Sequence, residues 1–246
     1  MIINLIFLFI SYLLGSIPFG VVIGKYLYHK DIRGVGSGNI GTTNAFRAFG
    51  PKGGLLVFLC DMVKGMLPVL IANYSSHFTD FDSMLFGLAA ILGHTFSLFL
   101  HFKGGKAVAT SFGVGLALAP LASLGGIAVF FIVLYLFRMV SLASIIAMIA
   151  ASIISFHYAV LIRILILSIT LLIIYRHKDN IKRILAGKEA KVPFGLGYKK
   201  INNKKSRHLA RFFCFKLLLL NVFSNTPGFL YSEYQYGSLS YLKSGK

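Results

Sequence analysis

Acidic side chains are scarce in this chain: seven Asp and Glu in 246 residues, against 25 Lys and Arg, for a net charge of +18. Charged residues of both signs make up 13%, where a soluble globular chain carries about a quarter. Tryptophan is absent, and the aromatic load rests on 23 Phe and 12 Tyr. Cys60 and Cys214 are the two cysteines; neither sits in a metal or redox spacing, so both read as isolated thiols. The opening MIINLIFLFI has no Lys- or Arg-bearing region before it, so it reads as a retained membrane helix and not a cleaved signal. No Ser-His-Asp arrangement and no internal repeat is evident. On a soluble protein a charge of +18 points to nucleic acid. Here 57% of the residues are hydrophobic and the cations lie between apolar runs, so the lipid bilayer is the expected partner and nucleic acid is not.

What is present is a set of apolar segments near the roughly 20 residues that one crossing requires. Seven can be read, near 2–24, 53–73, 83–101, 106–120, 121–137, 140–157 and 158–175. They are expected to be helical, because lipid offers no partner for an open backbone N–H or C=O. The fourth is short and starts at Gly104-Gly105; it meets the fifth near Ala119-Pro120 without a polar linker, so six spans is the alternative. Lys25, Lys30, Arg33, Arg47 and Lys52 mark the first connection, Lys103 and Lys106 the third, Arg138 the fifth, and Arg176 to Lys191 the end. The connection with Asp80 and Asp82, the turn near Pro120 and the turn at Phe156-His157-Tyr158 carry no Lys or Arg. By the positive-inside rule, seven spans with the N-terminus outside satisfy every loop. The expected fold is all-α: a polytopic membrane protein of about seven transmembrane helices whose active-site loops share the cytoplasmic face.

Three polar patches stand out against this background. In Gly36-Ser37-Gly38-Asn39, followed by Gly41-Thr42-Thr43-Asn44 and Arg47, glycines let the backbone bend so that amide N–H groups and cations converge on an anion. A helix opening after Gly41 adds its positive dipole end and brings Arg47 into its first turns. The bland alternative is a flexible juxtamembrane loop on anionic lipid. In Lys103-Gly104-Gly105-Lys106, two ammonium groups flank unshielded amides, an expected oxyanion pocket without the spacing of a P-loop; its alternative is two snorkelling lysines. His94 reads as a packing histidine that lies deeper than Lys103. In the third patch, 176–189, His177 and Asn180 share a helix face beside Ile181, Ile184 and Leu185, as suits a helix lying in the interface, with Glu189 following. Asp61 and Lys64, three apart inside an apolar segment, read as a buried structural pair.

GSGNIGTTNAFR at 36–47, GHTFSLFLHFKGGKAVAT at 93–110 and RHKDNIKRILAGKEAK at 176–191, with DMVKG at 61–65 and FRMVSLASI at 137–145, resemble the bacterial acyl-phosphate:glycerol-3-phosphate acyltransferases of the PlsY type. The resemblance covers roughly residues 1–200, expected to form a membrane-embedded acyltransferase domain. It departs at Ser97, usually proline, and at Ala107, usually glycine. Residues 201–246 continue past the usual end and are expected to be a basic, disordered or interfacial extension.

The resemblance implies transfer of a fatty acyl group from acyl phosphate to the 1-hydroxyl of glycerol 3-phosphate, giving lysophosphatidic acid and phosphate in the first step of phospholipid synthesis. It implies a monomer in the bacterial cytoplasmic membrane, with no metal and no cofactor. With no Ser-His-Asp arrangement and neither cysteine in a motif, direct transfer without an acyl-enzyme is expected. By analogy Ser37, Arg47 and Lys106 orient and neutralise the reacting phosphate and carbonyl. Lys103, Gly104 and Gly105 hold glycerol 3-phosphate, and His177, Asn180 and Glu189 organise the pocket or bind the acceptor. Gly36, Gly38, Asn39, Thr43 and Asn44 line the first patch. Either His177 or a phosphate oxygen of the substrate accepts the proton of the attacking hydroxyl. The competing classes are an organic-anion transporter, which places its site near the midplane between repeated halves, and a non-catalytic lipid-binding membrane protein.

Overall fold

The computed structural model describes residues 2–198; the expected extension at 201–246, Cys214 and the expected domain boundary near 200 lie outside the described residues. Nine α-helices form among those described: α1 (Ile2–Ser16), α2 (Phe19–Leu27), α3 (Thr42–Asn73), α4 (Asp80–Thr95), α5 (Val108–Leu118), α6 (Pro120–Phe137), α7 (Val140–Ile154), α8 (Val160–Arg176) and α9 (Lys178–Leu185). All seven expected apolar segments are helical. α3 and α6, and α4 and α7 with their terminal turns, are single helices of crossing length, and the pairs α1–α2 and α8–α9 reach it with bends of 49° and 59°. α5 does not. Its 11 residues span about 16 Å, half of a hydrocarbon core about 30 Å thick.

The breaks have local causes. Pro18 lacks an N–H and disfavours helix at Ile17, so α1 stops and α2 restarts at another angle. In α3 the break is Gly50 (φ 74°, ψ −171°), with Pro51 starting the second half where no N–H is needed. α4 opens on a capping box: Asp82 N–H donates to Thr79 Oγ1 at 3.2 Å and Thr79 N–H to Asp82 Oδ2 at 2.9 Å. Asn4 Nδ2 donates to the same carboxylate at 2.8 Å, which ties the start of α1 to the start of α4. Ala119 alone separates α5 from α6, which starts with Pro120.

Small residues set the depth of α5. Gly65 lies against the Thr110 backbone, Gly113 against Met62 and Met66, and Asn73 Nδ2 donates to Ala117 O. α5 therefore runs alongside the second half of α3 only. Its first residue is level with the Asp61–Lys64 turn, about 15 Å along the helix from Pro51. Residues 101–106 therefore lie beside the middle of α3 and level with the basic ends of α7 and α8, where Ser141 and Arg176 stand. The core at this level joins Val69, Ile91, Val114 and Ile173 from α3, α4, α5 and α8 with Ala107, the residue before α5.

Candidate active site

The first patch is a folded loop. Gly20 on α2 has no side chain to obstruct the Ile40 carbonyl or Ile32, so residues 32–40 turn back onto α2, with both isoleucines buried. Asn44 staples the loop from the first turn of α3. Its Nδ2 donates to Ile32 O at 3.0 Å and Val35 O at 2.9 Å, and its Oδ1 accepts from Ser37 N–H at 3.1 Å. Asn44, expected to line the first patch, thus also holds its loop together. Gly36 and Gly38 are left-handed (φ 59° and 69°), which fits their expected use in bending the chain. Asn39 Oδ1 accepts from Gly41 N–H at 2.9 Å, and Gly41 caps α3, so the helix opens where the glycines predict. Ser37 and Arg47 are exposed at the loop's edge, with Arg47 running beside Gly36; Thr43 is half-buried on the first helical turn. Arg33 does not join them. Its guanidinium is gripped by Asp31 at 2.7–3.1 Å, which holds that carboxyl down to about 2.

The second patch differs from expectation in a useful way. Gly104 N–H donates to Thr95 O at 3.2 Å and Gly105 N–H to His94 O at 3.0 Å. Those amides satisfy the otherwise open carbonyls at the end of α4 and are not free for an anion. Their own carbonyls accept from Arg176 Nη2, at 2.9 and 3.1 Å. Only glycine fits: a side chain at 104 would strike the α4 carbonyls and one at 105 the His94 ring. His94 is thus a neighbour of Gly105, not one helix length deeper. Its Nδ1 is 3.6 Å from Asp61 Oδ1, and Lys64 Nζ lies 2.8 Å from the same oxygen and donates to Ile17 O at 2.7 Å.

The two departures from the family pattern have visible roles. Ser97 donates to Ser16 O at 2.5 Å, pinning the end of α4 to the α1–α2 break. Ala107 takes a left-handed conformation (φ 55°), which explains why glycine is usual there. A left-handed residue leading into a helix turns successive N–H groups to one side, the geometry of an anion nest. The free amides at this patch therefore belong to the start of α5, next to Lys106. Lys103 is exposed on the turn before them.

The third patch closes over the second. Lys106 Nζ donates to Asn180 Oδ1, and Asn180 Nδ2 donates to Glu189 Oε1 at 2.7 Å. Ser141 Oγ donates to that oxygen at 2.7 Å, and Arg183 Nε to Oε2 at 2.7 Å. Burial opposes the Glu189 charge, but these three donors outweigh it and hold the carboxyl below its usual range. Glu189 is thus a hub for protein groups. Burial, partly offset by Glu189, brings the Lys106 ammonium down to about 8. His177 is 3% exposed, and its Nδ1 contacts Ile173 O at 2.8 Å. Burial first, then the Lys106 charge, brings its pKa down to about 4, so the ring is neutral at pH 7.

The second and third patches are therefore one constellation. Among the described residues no hydrogen bond or ion pair joins it to Ser37 or Arg47; the first patch is linked through packing of Leu100 on the Ile32–Ile40 cluster. Ser141 and Arg176 lie in segments that the sequence reading marked, at 137–145 and 176–189, but had no site role assigned to them. The one available signal was a polar or charged residue at the basic end of an apolar helix. Among the described residues no group of three His, Cys, Asp or Glu side chains is disposed to hold a metal ion.

The family model described as glycerol-3-phosphate acyltransferase matches residues 5–187. The glycerol-3-phosphate acyltransferase of Lactiplantibacillus plantarum is 46% identical over 198 residues, covering 80% of this chain and 95% of that protein. The protein of the same name from Limosilactobacillus reuteri is 50% identical over 190 residues, 77% of this chain and 91% of its own length. The crystal structure of PlsY, an integral membrane glycerol 3-phosphate acyltransferase, in its glycerol 3-phosphate form superposes with a TM-score of 0.72 at 46% identity, covering 77% of this chain and 95% of that one. Its lysophosphatidic acid form gives a TM-score of 0.71. With model, relatives and solved fold in agreement over the same helices, this chain belongs to the PlsY-type family of integral membrane glycerol-3-phosphate acyltransferases.

Proposed function

We propose that the protein transfers a fatty acyl group from acyl phosphate directly to the 1-hydroxyl of glycerol 3-phosphate, releasing lysophosphatidic acid and inorganic phosphate. The observation that carries the reading is the Lys106–Asn180–Glu189 line beside a neutral His177 at the start of α5. Lys106 keeps N–H donors beyond the one held by Asn180, and with the α5 amides it neutralises the phosphate that leaves. Arg47 and Ser37 orient the second anion. The hydroxyl oxygen attacks the acyl carbon, the bond from that carbon to the phosphate oxygen breaks, and the electron pair leaves with phosphate. His177 Nε2 accepts a hydrogen bond from the attacking hydroxyl. A base with a pKa of about 4 does not retain a proton at pH 7, so the proton ends on the departing phosphate. Because the donor is already activated, positioning and charge neutralisation supply the rate and no acyl-enzyme is needed.

In this reading the protein is a monomer in the bacterial cytoplasmic membrane, with its N-terminus outside and its three patches facing inward; Lys103 and the exposed face of α9 meet the incoming anions. The test is phosphate release from palmitoyl phosphate by purified protein, with and without glycerol 3-phosphate, and with palmitoyl-coenzyme A as a second donor. Acceptor-dependent phosphate release with matching lysophosphatidic acid is expected. Equal or faster transfer from the thioester overturns the donor assignment, and a covalent acyl adduct on the protein overturns direct transfer.

A further inference from the structure

Arg138 and Met139 form the whole turn between α6 and α7. Arg138 is left-handed (φ 64°), and its N–H donates to Leu134 O at 2.8 Å, closing α6. Its carbonyl accepts from Val192 N–H at 2.7 Å. Its guanidinium returns to the same residue: Nε and Nη2 donate to Val192 O at 3.1 and 3.0 Å. One side chain and one carbonyl thus satisfy both backbone groups of Val192. The Val192 side chain packs on the Val133–Leu134–Ala143 cluster. Further along, Leu196 N–H donates to Tyr135 O at 2.8 Å, and the guanidinium lies 4.9 Å from the Tyr198 ring centre. Residues 189–198 contain no helix or strand of their own. They form a strap across the α6–α7 turn, fastened chiefly by Arg138.

The near end of this strap is Glu189, three residues before Val192, and Glu189 holds Asn180, which holds Lys106. We propose that Arg138 is a positioning residue for acyl transfer: by fastening Val192 it fixes Glu189, and through Asn180 it fixes the Lys106 ammonium. The α6–α7 pair does not depend on this bond, because Gly126 seats against Ala147 and Ala151 well along both helices. The inference rests on the reading of Lys106 and Asn180 given above.

The test uses a readout that a general loss of structure does not move. The charged and titratable groups around Lys106 are Glu189 on the strap, Asp179 and Arg183 on α9, Arg176 at the end of α8, and His177. Glu189 is the larger of the two carboxylate influences that favour the ammonium. Releasing the strap withdraws it, so Lys106 loses its proton at lower pH. Arg138→Ala is expected to lower kcat about tenfold and to move the alkaline limb of kcat/KM about half a pH unit or more toward acid. Arg138→Lys, with a single donor group for Val192 O, is expected to recover part of both effects. Lys106→Met is the control for the underlying site. If it retains activity, the site reading fails; if it is inactive while folded Arg138→Ala keeps the wild-type limb, the positioning role alone fails. Should Arg138→Ala not fold, Arg138→Gln and Arg138→Lys are read against the same limb, and a wild-type limb in both overturns the proposal.

Discussion

His177 Nδ1 lies 2.8 Å from the carbonyl oxygen of Ile173, one turn back on α8. A carbonyl only accepts, so Nδ1 carries the proton and Nε2 keeps its lone pair. With burial and Lys106 bringing its pKa down to about 4, His177 contributes no limb to kcat/KM between about pH 5 and 7. His177→Asn removes the Nε2 acceptor and is expected to lower kcat about 100-fold, with folding unchanged by circular dichroism. An unaltered kcat removes His177 from the chemistry.

In the proposed mechanism Lys106 sets the alkaline limb. There its ammonium is the competent form, and burial brings its pKa down to about 8. The protonated fraction falls as pH rises through that value, so kcat/KM is expected to be level below pH 7 and to decline above 8. Arginine stays charged at every accessible pH. The residual activity of Lys106→Arg is therefore expected to lack the decline; a limb that persists belongs to another group.

Asn44→Ala and Ser37→Ala separate building from reacting. The first leaves Ile32 O, Val35 O and Ser37 N–H without their partner, at about 1 kcal/mol each, and is expected to lower both Tm and activity. Ser37 is exposed. Its alanine variant is expected to lose activity at an unchanged Tm, and a matching fall in Tm would assign Ser37 to the scaffold.

At Ala107 two small terms oppose each other. The left-handed backbone costs about 1–2 kcal/mol, while the buried methyl contributes about 0.8 and glycine adds unfolded-state entropy of about 0.5–1. Ala107→Gly is therefore expected to stay within about 1 kcal/mol of wild type. Ala107→Val adds a β-branched side chain and overpacking, and is expected to cost about 3 kcal/mol more by thermal unfolding in detergent. Equal melting points for the two variants would show that the backbone at 107 relaxes.

Asp61 and Lys64 are each 2% exposed. Asp61→Asn leaves a buried ammonium without its counter-charge and is expected to cost about 3–5 kcal/mol. The pair Asp61→Leu with Lys64→Met removes both charges and is expected to be less destabilised than Asp61→Asn, its remaining cost being the Ile17 carbonyl that Lys64 serves. A double variant worse than the single one contradicts this account.

The helices were legible because their signals are local: apolar length, Gly41 ahead of α3, and Pro120 ahead of α6; the break at Pro18 inside the 2–24 segment was not read. The pairing of Asp61 with Lys64 was legible because a span leaves two charges three apart few other partners. The direction of hydrogen bonds was not. Gly104 and Gly105 look like open amides in sequence, yet the tight turn after α4 folds them onto Thr95 and His94. Arg176 and Ser141 looked like a basic flank and a helix start, because their partners lie 71 and 48 residues away. The depth of α5 was also hidden, since it follows from Gly65 and Gly113 admitting backbone against backbone.

The half length of α5 has a consequence for traffic. A dianion does not dissolve in oil, so the proposed reaction centre at the start of α5 requires a wet approach for it. A fatty chain, conversely, need never leave the hydrocarbon to reach the same point from the side. In the proposed reaction, two reactants with no common solvent then meet where the stub begins, and a product half salt and half oil departs along the seam between their routes.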